Sequence, residues 1–227
     1  MSAPAFISKG TLGEGNGSSI SPSYPGGIQA GDILFLLAAN QQIGEMDAGT
    51  IATPAGWTAL SESNPFPNGE GGAKLFYKVA AGSESGSFSV TRTGATGNDT
   101  AFAAQVYQYR SGAGGGAGLE TNQGQYGTDD VTITWPTITI VGNSRTLLAF
   151  VVLIGSVSGD PIDTPAGYSA DAFDAVNPLS QRTLLQAFSL EDINSDGSVS
   201  VDSRANFGWF TIHASIFDVV GRSFIVN

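Results

Sequence analysis

One histidine, three tryptophans, twenty carboxylates and no cysteine are the residues of this 227-residue chain that could do chemistry. His213 lies within an apolar run, 209–218, with Thr211 and Ser215 on its own side of a strand. A histidine-based zinc site needs a second imidazole, and thiolate sites and disulfides need cysteine; the chain has neither. Ser-His-Asp catalysis is formally open, but no Gly-x-Ser-x-Gly elbow is present. His213 therefore reads as a solvent-facing or hydrogen-bonded strand position. Two carboxylates facing one another across a cleft could hydrolyse glycosides. The acids here fall in loops, as Glu45 and Asp47, Glu62, Glu70, Asp129 and Asp130, and Asp171 and Asp174, with no flanking pattern that marks a site. The expectation is a protein that is not an enzyme.

The sharpest local motif is Asp192-Ile193-Asn194-Ser195-Asp196-Gly197-Ser198. It matches the first half of a calcium loop, in which Asp192, Asn194 and Asp196 would present alternating oxygens and the glycine would permit the bend. Position twelve is Ser203 instead of a bidentate glutamate, and strands at 184–190 and 199–202 flank the loop where helices would be required. A polar β-turn is the simpler reading, with 81–86 as its hairpin counterpart earlier in the chain; no other cofactor is implied. Exposed aromatic rings could stack on sugars. Trp57 and Tyr168 occupy matched places after matched turns, which packing explains. Trp135, just before Pro136, and Trp209, near His213, are the better candidates for a surface contact.

The elements that must position these residues are written twice. Gly31-Asp32-Ile33-Leu34-Phe35-Leu36 is echoed by Asn143-Ser144-Arg145-Thr146-Leu147-Leu148, and Thr53-Pro54-Ala55-Gly56-Trp57 by Thr164-Pro165-Ala166-Gly167-Tyr168. Amphipathic segments at 74–79 and 182–188 follow, and then apolar strands at 101–110 and 209–218. Four matched elements in one order, offset by about 110 residues, point to internal duplication. The first copy spans about 28–110, a Gly/Ala joint occupies 111–118, the second copy spans about 131–219, and a short tail follows at 220–227. Phe102, Ala104, Val106 and Gln108 share a face and align with Phe210, Ile212, Ala214 and Ile216, which places His213 opposite Gln105. In the Thr-Pro-Ala-Gly segment, proline at the second position and glycine at the fourth suit a type I turn. Pro136 inside 131–141 suggests an edge strand or bulge. Nothing longer than a turn looks helical; 178–186 is the one weak candidate. The fold class expected is all-β: a single antiparallel β-sandwich of jelly-roll type made of two duplicated halves.

Bulk properties narrow the partners. Hydrophobic residues at 41% support a core, and 31 glycines against 13% charged residues suit many tight turns. A net charge of −11 argues against nucleic acid and anionic membranes, both of which need clustered Lys and Arg. The first ten residues lack the basic start and apolar run of a signal peptide, and no apolar stretch is long enough to span a bilayer. Synthesis in the cytoplasm with release by lysis is expected.

With these segments in view, Gly-Asp-Ile-Leu-Phe-Leu, Thr-Pro-Ala-Gly-Trp-Thr, Leu-Phe-Tyr-Lys-Val-Ala-Ala-Gly-Ser-Glu and a strand ending in Tyr109-Arg110 resemble a β-sandwich domain family of tailed-bacteriophage structural proteins, also carried by some bacterial surface proteins. The resemblance spans roughly residues 25–220. It implies a virion protein without catalytic residues. A head decoration or cement protein bound outside the capsid is the leading expectation, with the major capsid protein, other virion proteins or a second copy of itself as partner. A tail, baseplate or fibre component touching the host, host glycans included, is the first alternative. A carbohydrate-binding module is the second.

Overall fold

The computed structural model describes residues 3–42, 49–63, 71–94, 100–112, 114–141, 144–155, 162–176, 182–193 and 199–219. Among them, in chain order, run β1 (Ala5–Lys9), β2 (Gly13–Gly15), β3 (Ser19–Ile20), β4 (Ile33–Gln42), β5 (Thr50–Ile51), β6 (Thr58–Ser63), β7 (Gly71–Val79), β8 (Val90–Thr93), β9 (Thr100–Arg110), β10 (Ala117–Trp135), β11 (Arg145–Gly155), β12 (Ser169–Val176), β13 (Arg182–Ile193) and β14 (Val199–Asp218). The described residues contain no helix, and every ladder between described strands is antiparallel.

Two large sheets have the orders β1-β9-β4-β7-β6, with β2 also on β9, and β10-β14-β11-β13-β12; a small sheet, β3-β8-β5, accompanies the first. Each large sheet takes all its strands from one half of the chain. Taking β1, β4, β6, β7 and β9 as the first five and β10 to β14 as the second, both orders read first-fifth-second-fourth-third.

The sheets stack because their central strands are apolar on both faces. In β4, Ile33, Phe35, Leu37 and Ala39 meet Leu148, Phe150 and Val152 of β11 in the interior between the sheets. The Phe35 and Phe150 rings lie 5.4 Å apart, and Tyr107 closes on Phe150 at 5.6 Å. Burying one such side chain contributes about 2–3 kcal/mol, so this seam supplies much of the cohesion. Leu34, Leu36 and Ala38 point the other way, into a second layer with Ile51, Trp57 and Val90. The outer face of the second sheet likewise buries Leu147, Ala149 and Val151 beneath Ile133, Trp135, Ile138, Ile162 and Tyr168.

Three readings of the sequence are corrected here. The second half starts well before 131: β10 begins at Ala117, inside the expected joint, and pairs with β14 as far as Trp135 opposite Val199. Bulges between Gly127 and Thr132 bend this ribbon, and its far end lies over the outer face of its own sheet. Neither 81–86 nor 194–198 links paired strands, since β7 is not paired with β8 nor β13 with β14. Finally, the faces of the two closing strands are offset by one residue. Phe102, Ala104 and Val106 lie in the outer layer, whereas Phe210, Ile212, Ala214 and Ile216 lie in the seam. Matching the sheets by face sets Asp32 against Arg145 and Val106 against His213. A one-residue slip reverses every side chain of a strand. Gly31 (φ +90°) and Ser144 (φ +57°) then coincide as the left-handed residues that open β4 and β11.

The two matched turns also shift by one. Trp57 N donates to Pro54 O (3.2 Å) and Tyr168 N to Pro165 O (3.0 Å), so the turns are Pro-Ala-Gly-aromatic. Gly56 (φ +78°) and Gly167 (φ +85°) occupy the third position, where a type II turn requires positive φ. A Cβ at Gly56 would meet nothing within 4 Å, so strain alone opposes a side chain there. Gly56→Ala is expected to cost about 1–2 kcal/mol, measured by chemical denaturation. Gly56→Asn should recover part of that loss, and equal losses for the two variants would show that packing, not φ, governs the turn.

Candidate functional site

Polar side chains gather in three places: the foot of the sandwich, the seam between the sheets, and beneath the straps over the outer faces. At the foot, Asp32 follows left-handed Gly31 at the entry to β4, and its side chain is 2% exposed. It receives Arg110 Nε on Oδ1 (2.8 Å), and Arg110 Nη2 (2.8 Å), Gln108 Nε2 (2.6 Å) and the Gln29 amide (2.7 Å) on Oδ2. Burial pushes the Asp32 carboxyl up, but Arg110, the Gln29 amide and Gln108 together outweigh it and hold it below the usual range. A hollow of about 30 Å³, lined by Gln29, Asp32, Arg110, Ser111 and nearby glycines, opens beside the pair. That is room for a water or two, not a substrate.

The second sheet builds its foot with the charges exchanged. Arg145 stands where Asp32 does, its guanidinium 4.9 Å over Phe217, and it pairs with Glu120 of β10 (3.1 Å). Ser215, at the place of Gln108, donates to Glu120 Oε2 (2.9 Å). Both carboxylates clamp strand ends and neutralise an arginine.

At the seam, Asp171 turns inward at a bulge of β12 between Ala170 and Ala172. Tyr109 of the facing sheet donates to its Oδ2 (2.8 Å) and Ser189 to its Oδ1 (2.7 Å). Burial pushes this carboxyl up to about 6, with the Glu191 charge adding, while the two hydroxyls pull it down.

His213 is fully buried beneath a strap. Its Nδ1 lies 2.9 Å from the Pro136 carbonyl, which can only accept, so Nδ1 carries a proton, and Nε2 is hydrogen-bonded to the Tyr168 hydroxyl (2.8 Å). The hydrogen-bonded alternative is the one realised, and the solvent-facing one is not. Arg92, 3% exposed, does similar work on the first sheet, donating to the carbonyls of Asn16, Gly17 and Ala101.

Trp135 and Trp209, expected at the surface, are 2% and 3% exposed and belong to the outer core. Trp135 Nε1 donates to Phe150 O (2.9 Å), which pins the strap. Trp209 packs against Gly127, where a Cβ would come within 2.3 Å of the ring. Neither offers a platform for a sugar. Of the calcium candidates, Asp192 falls in β13 with its side chain outside the described residues, and Asn194 and Asp196 lie outside them altogether. Among the described residues no three His, Asp or Glu converge as a metal would require.

Asp32, Arg110, Asp171 and Glu120 were not singled out as a constellation by sequence, because each pairs across strands far apart in the chain. The Gly-Asp and Tyr-Arg dipeptides that carry the resemblance were the available signal. Chemically the three places bind, orient and neutralise within the fold, and no described nucleophile faces a base across an open cleft.

Two outcomes follow for stability. Asp32→Ala strands Arg110 and Gln108 and should cost about 3 kcal/mol, whereas Glu120→Ala, which removes a carboxylate 14% exposed against 2% for Asp32, should cost about 1 kcal/mol. Equal losses in urea denaturation would contradict this ranking of the two feet. For Asp171 the folded state favours the protonated acid, so the stabilisation is complete below about pH 4 and disappears as pH rises through about 6. Two units amount to about 3 kcal/mol. Asp171→Asn should flatten that pH dependence and match or exceed the parent at pH 8; an unchanged slope in the variant would remove Asp171 as its source.

Models of known protein families, curated proteins and solved structures were all compared with this chain, and none matches it.

Proposed function

We propose that this chain is a non-enzymatic structural protein of a tailed-bacteriophage particle, acting as a head decoration protein on the capsid exterior. The observation that supports this reading most is the pair of equally ordered sheets packed face to face, with the resemblance motifs at their junctions. Gly31-Asp32 opens β4 and anchors the foot, the Pro-Ala-Gly turns lead into β6 and β12, and Tyr109-Arg110 ties β9 to both Asp171 and Asp32. A common origin of the two halves is the economical account of that order. Among the described residues Asp32, Glu120, Asp171 and His213 hold strands and covers together, which suits a rigid module that works through its surface. Location in the virion and contact with the major capsid protein are parts of the same proposal.

A tail or baseplate component is the second reading, since the same scaffold would serve there. The sugar-binding reading loses its motivation, because Trp135 and Trp209 are interior. Quantitative mass spectrometry of purified particles, counting this chain per major capsid protein, separates the remaining positions. A near-stoichiometric ratio is expected for a decoration protein. A ratio far below it would place the chain in the tail or at a vertex, and absence from particles would overturn the virion assignment.

A further inference from the structure

β10 is the outermost strand of the second sheet: β14 pairs with one side of it, and no described strand pairs with the other. Natural edges are usually guarded by bulges, prolines or charges. Bulges bracket β10 at Leu119/Thr121 and Gly127/Asp130, but the seven residues between, Thr121-Asn122-Gln123-Gly124-Gln125-Tyr126-Gly127, pair without interruption and carry no charge and no proline. Glu120, the nearest described charge, is turned to Arg145 and Ser215. Exposed apolar side chains collect around the same strand. Tyr126 is 50% exposed within it, Val219 (42%) stands beside Gly118, and Val141 (73%) bonds through its amide to Glu120.

The chain leaves the described structure at the foot of this strand, where Val219 N donates to Gly116 O (2.8 Å). The segment beyond, Val220-Gly221-Arg222-Ser223-Phe224-Ile225-Val226-Asn227, carries three consecutive apolar residues and a single positive charge in a chain of net −11. Extended, eight residues reach about 27 Å, enough to lie along a seven-residue strand. Because β10 also starts at that foot, a copy's own segment could run beside its own β10 only in parallel. The segment of a second copy is free to add antiparallel, the more stable ladder.

We propose that residues 220–227 of one copy add as a strand to the open edge of β10 in another, joining copies of this chain through backbone hydrogen bonds. Phe224 or Ile225 would then cover Tyr126. This goes beyond the assignment to a virion and does not depend on it.

The test is sedimentation of the full chain, of a chain stopped after Val219 and of full-length Ile225→Asp, combined with hydrogen exchange of β10. The full chain should sediment at twice the mass of one chain or more, and both variants as single chains with unchanged melting. In the full chain alone, the 121–127 amides that point away from β14 should be protected, and a free peptide of sequence 220–227 should compete. Three results would each overturn the proposal: a single-chain full-length protein with those amides unprotected; association that survives in both variants; or protection in a single-chain full-length protein, which would mean that each copy covers its own edge. Particle composition is read by a separate measurement, so failure here leaves the virion assignment standing.

Discussion

The structure depends on β4 and β11 being apolar on both faces. A strand that buries one face needs one covering layer, whereas these two need two. The first cover is mutual, through Phe35, Tyr107 and Phe150. The second must come from elsewhere in each half: the small β3-β8-β5 sheet with its loops over β4, and the far end of β10 with residues 136–140 and 162–168 over β11. Backbone laid on an apolar surface brings amides and carbonyls out of water, and each must find a partner or cost about 1–3 kcal/mol. This is why buried polar side chains occur where they do. Asn40 donates to Gly49 O, Gln186 engages both the N–H and the carbonyl of Ile162, Trp135 reaches Phe150 O, and His213 holds Pro136 O. Residues that looked like candidates for chemistry are the partners that let the covers lie down.

The same constraint shapes the foot. Where β4 and β11 begin, the chain passes through a left-handed residue, and a charged side chain follows at once: Asp32 in one half, Arg145 in the other. Each is neutralised by a partner of opposite sign, Arg110 within the same ladder and Glu120 from the neighbouring edge strand. The position demands a buried charge-assisted clamp and leaves its sign free. Arg110 could satisfy Asp32 from directly across the ladder. At the matching place in the second half stands Phe217, so the counter-charge had to come from β10. The long β10, which the first half replaces with the short β1 and β2, is thereby tied into the foot.

How far the sequence revealed this follows from the same physics. The continuous apolar run at 33–38 is a local mark of a doubly covered strand, and the Pro-Ala-Gly turns are equally local. β10 was illegible for its polar, glycine-containing composition: an edge strand covered on one side needs no apolar alternation along 120–130. The face assignment of 101–110 and 209–218 failed by one residue because both faces of both strands are buried, so hydrophobicity carried no phase information. Trp135 and Trp209 were misplaced for a related reason. Their burial depends on a ribbon bent at bulges and on Gly127 leaving room for an indole, and neither is encoded near the tryptophans themselves. The side-chain pairs of the Asp32 and Asp171 clusters lie 18 to 78 positions apart, a relation that strand order alone can supply.

The described side chains of Asn40, Gln186 and His213 are turned inward to hold the covers, and backbone recognition belongs to sheet edges. The edges of the two large sheets are not equivalent. β1 and β2 are short, interrupted segments along β9, and β12 is broken by the bulge that aims Asp171 inward. β6 carries an irregularity between Ala59 and Glu62. β10 alone keeps seven consecutive uncharged residues in regular register, and the two bulges flanking them fix the length of what can be added. A strand laid there would gain ladder hydrogen bonds without displacing an ion pair, since Glu120 is already turned away to its own arginine. The division of labour is thus physical: interior polarity fixes the scaffold, and among the described edge strands β10 is the one with seven residues free of charge, proline and bulge.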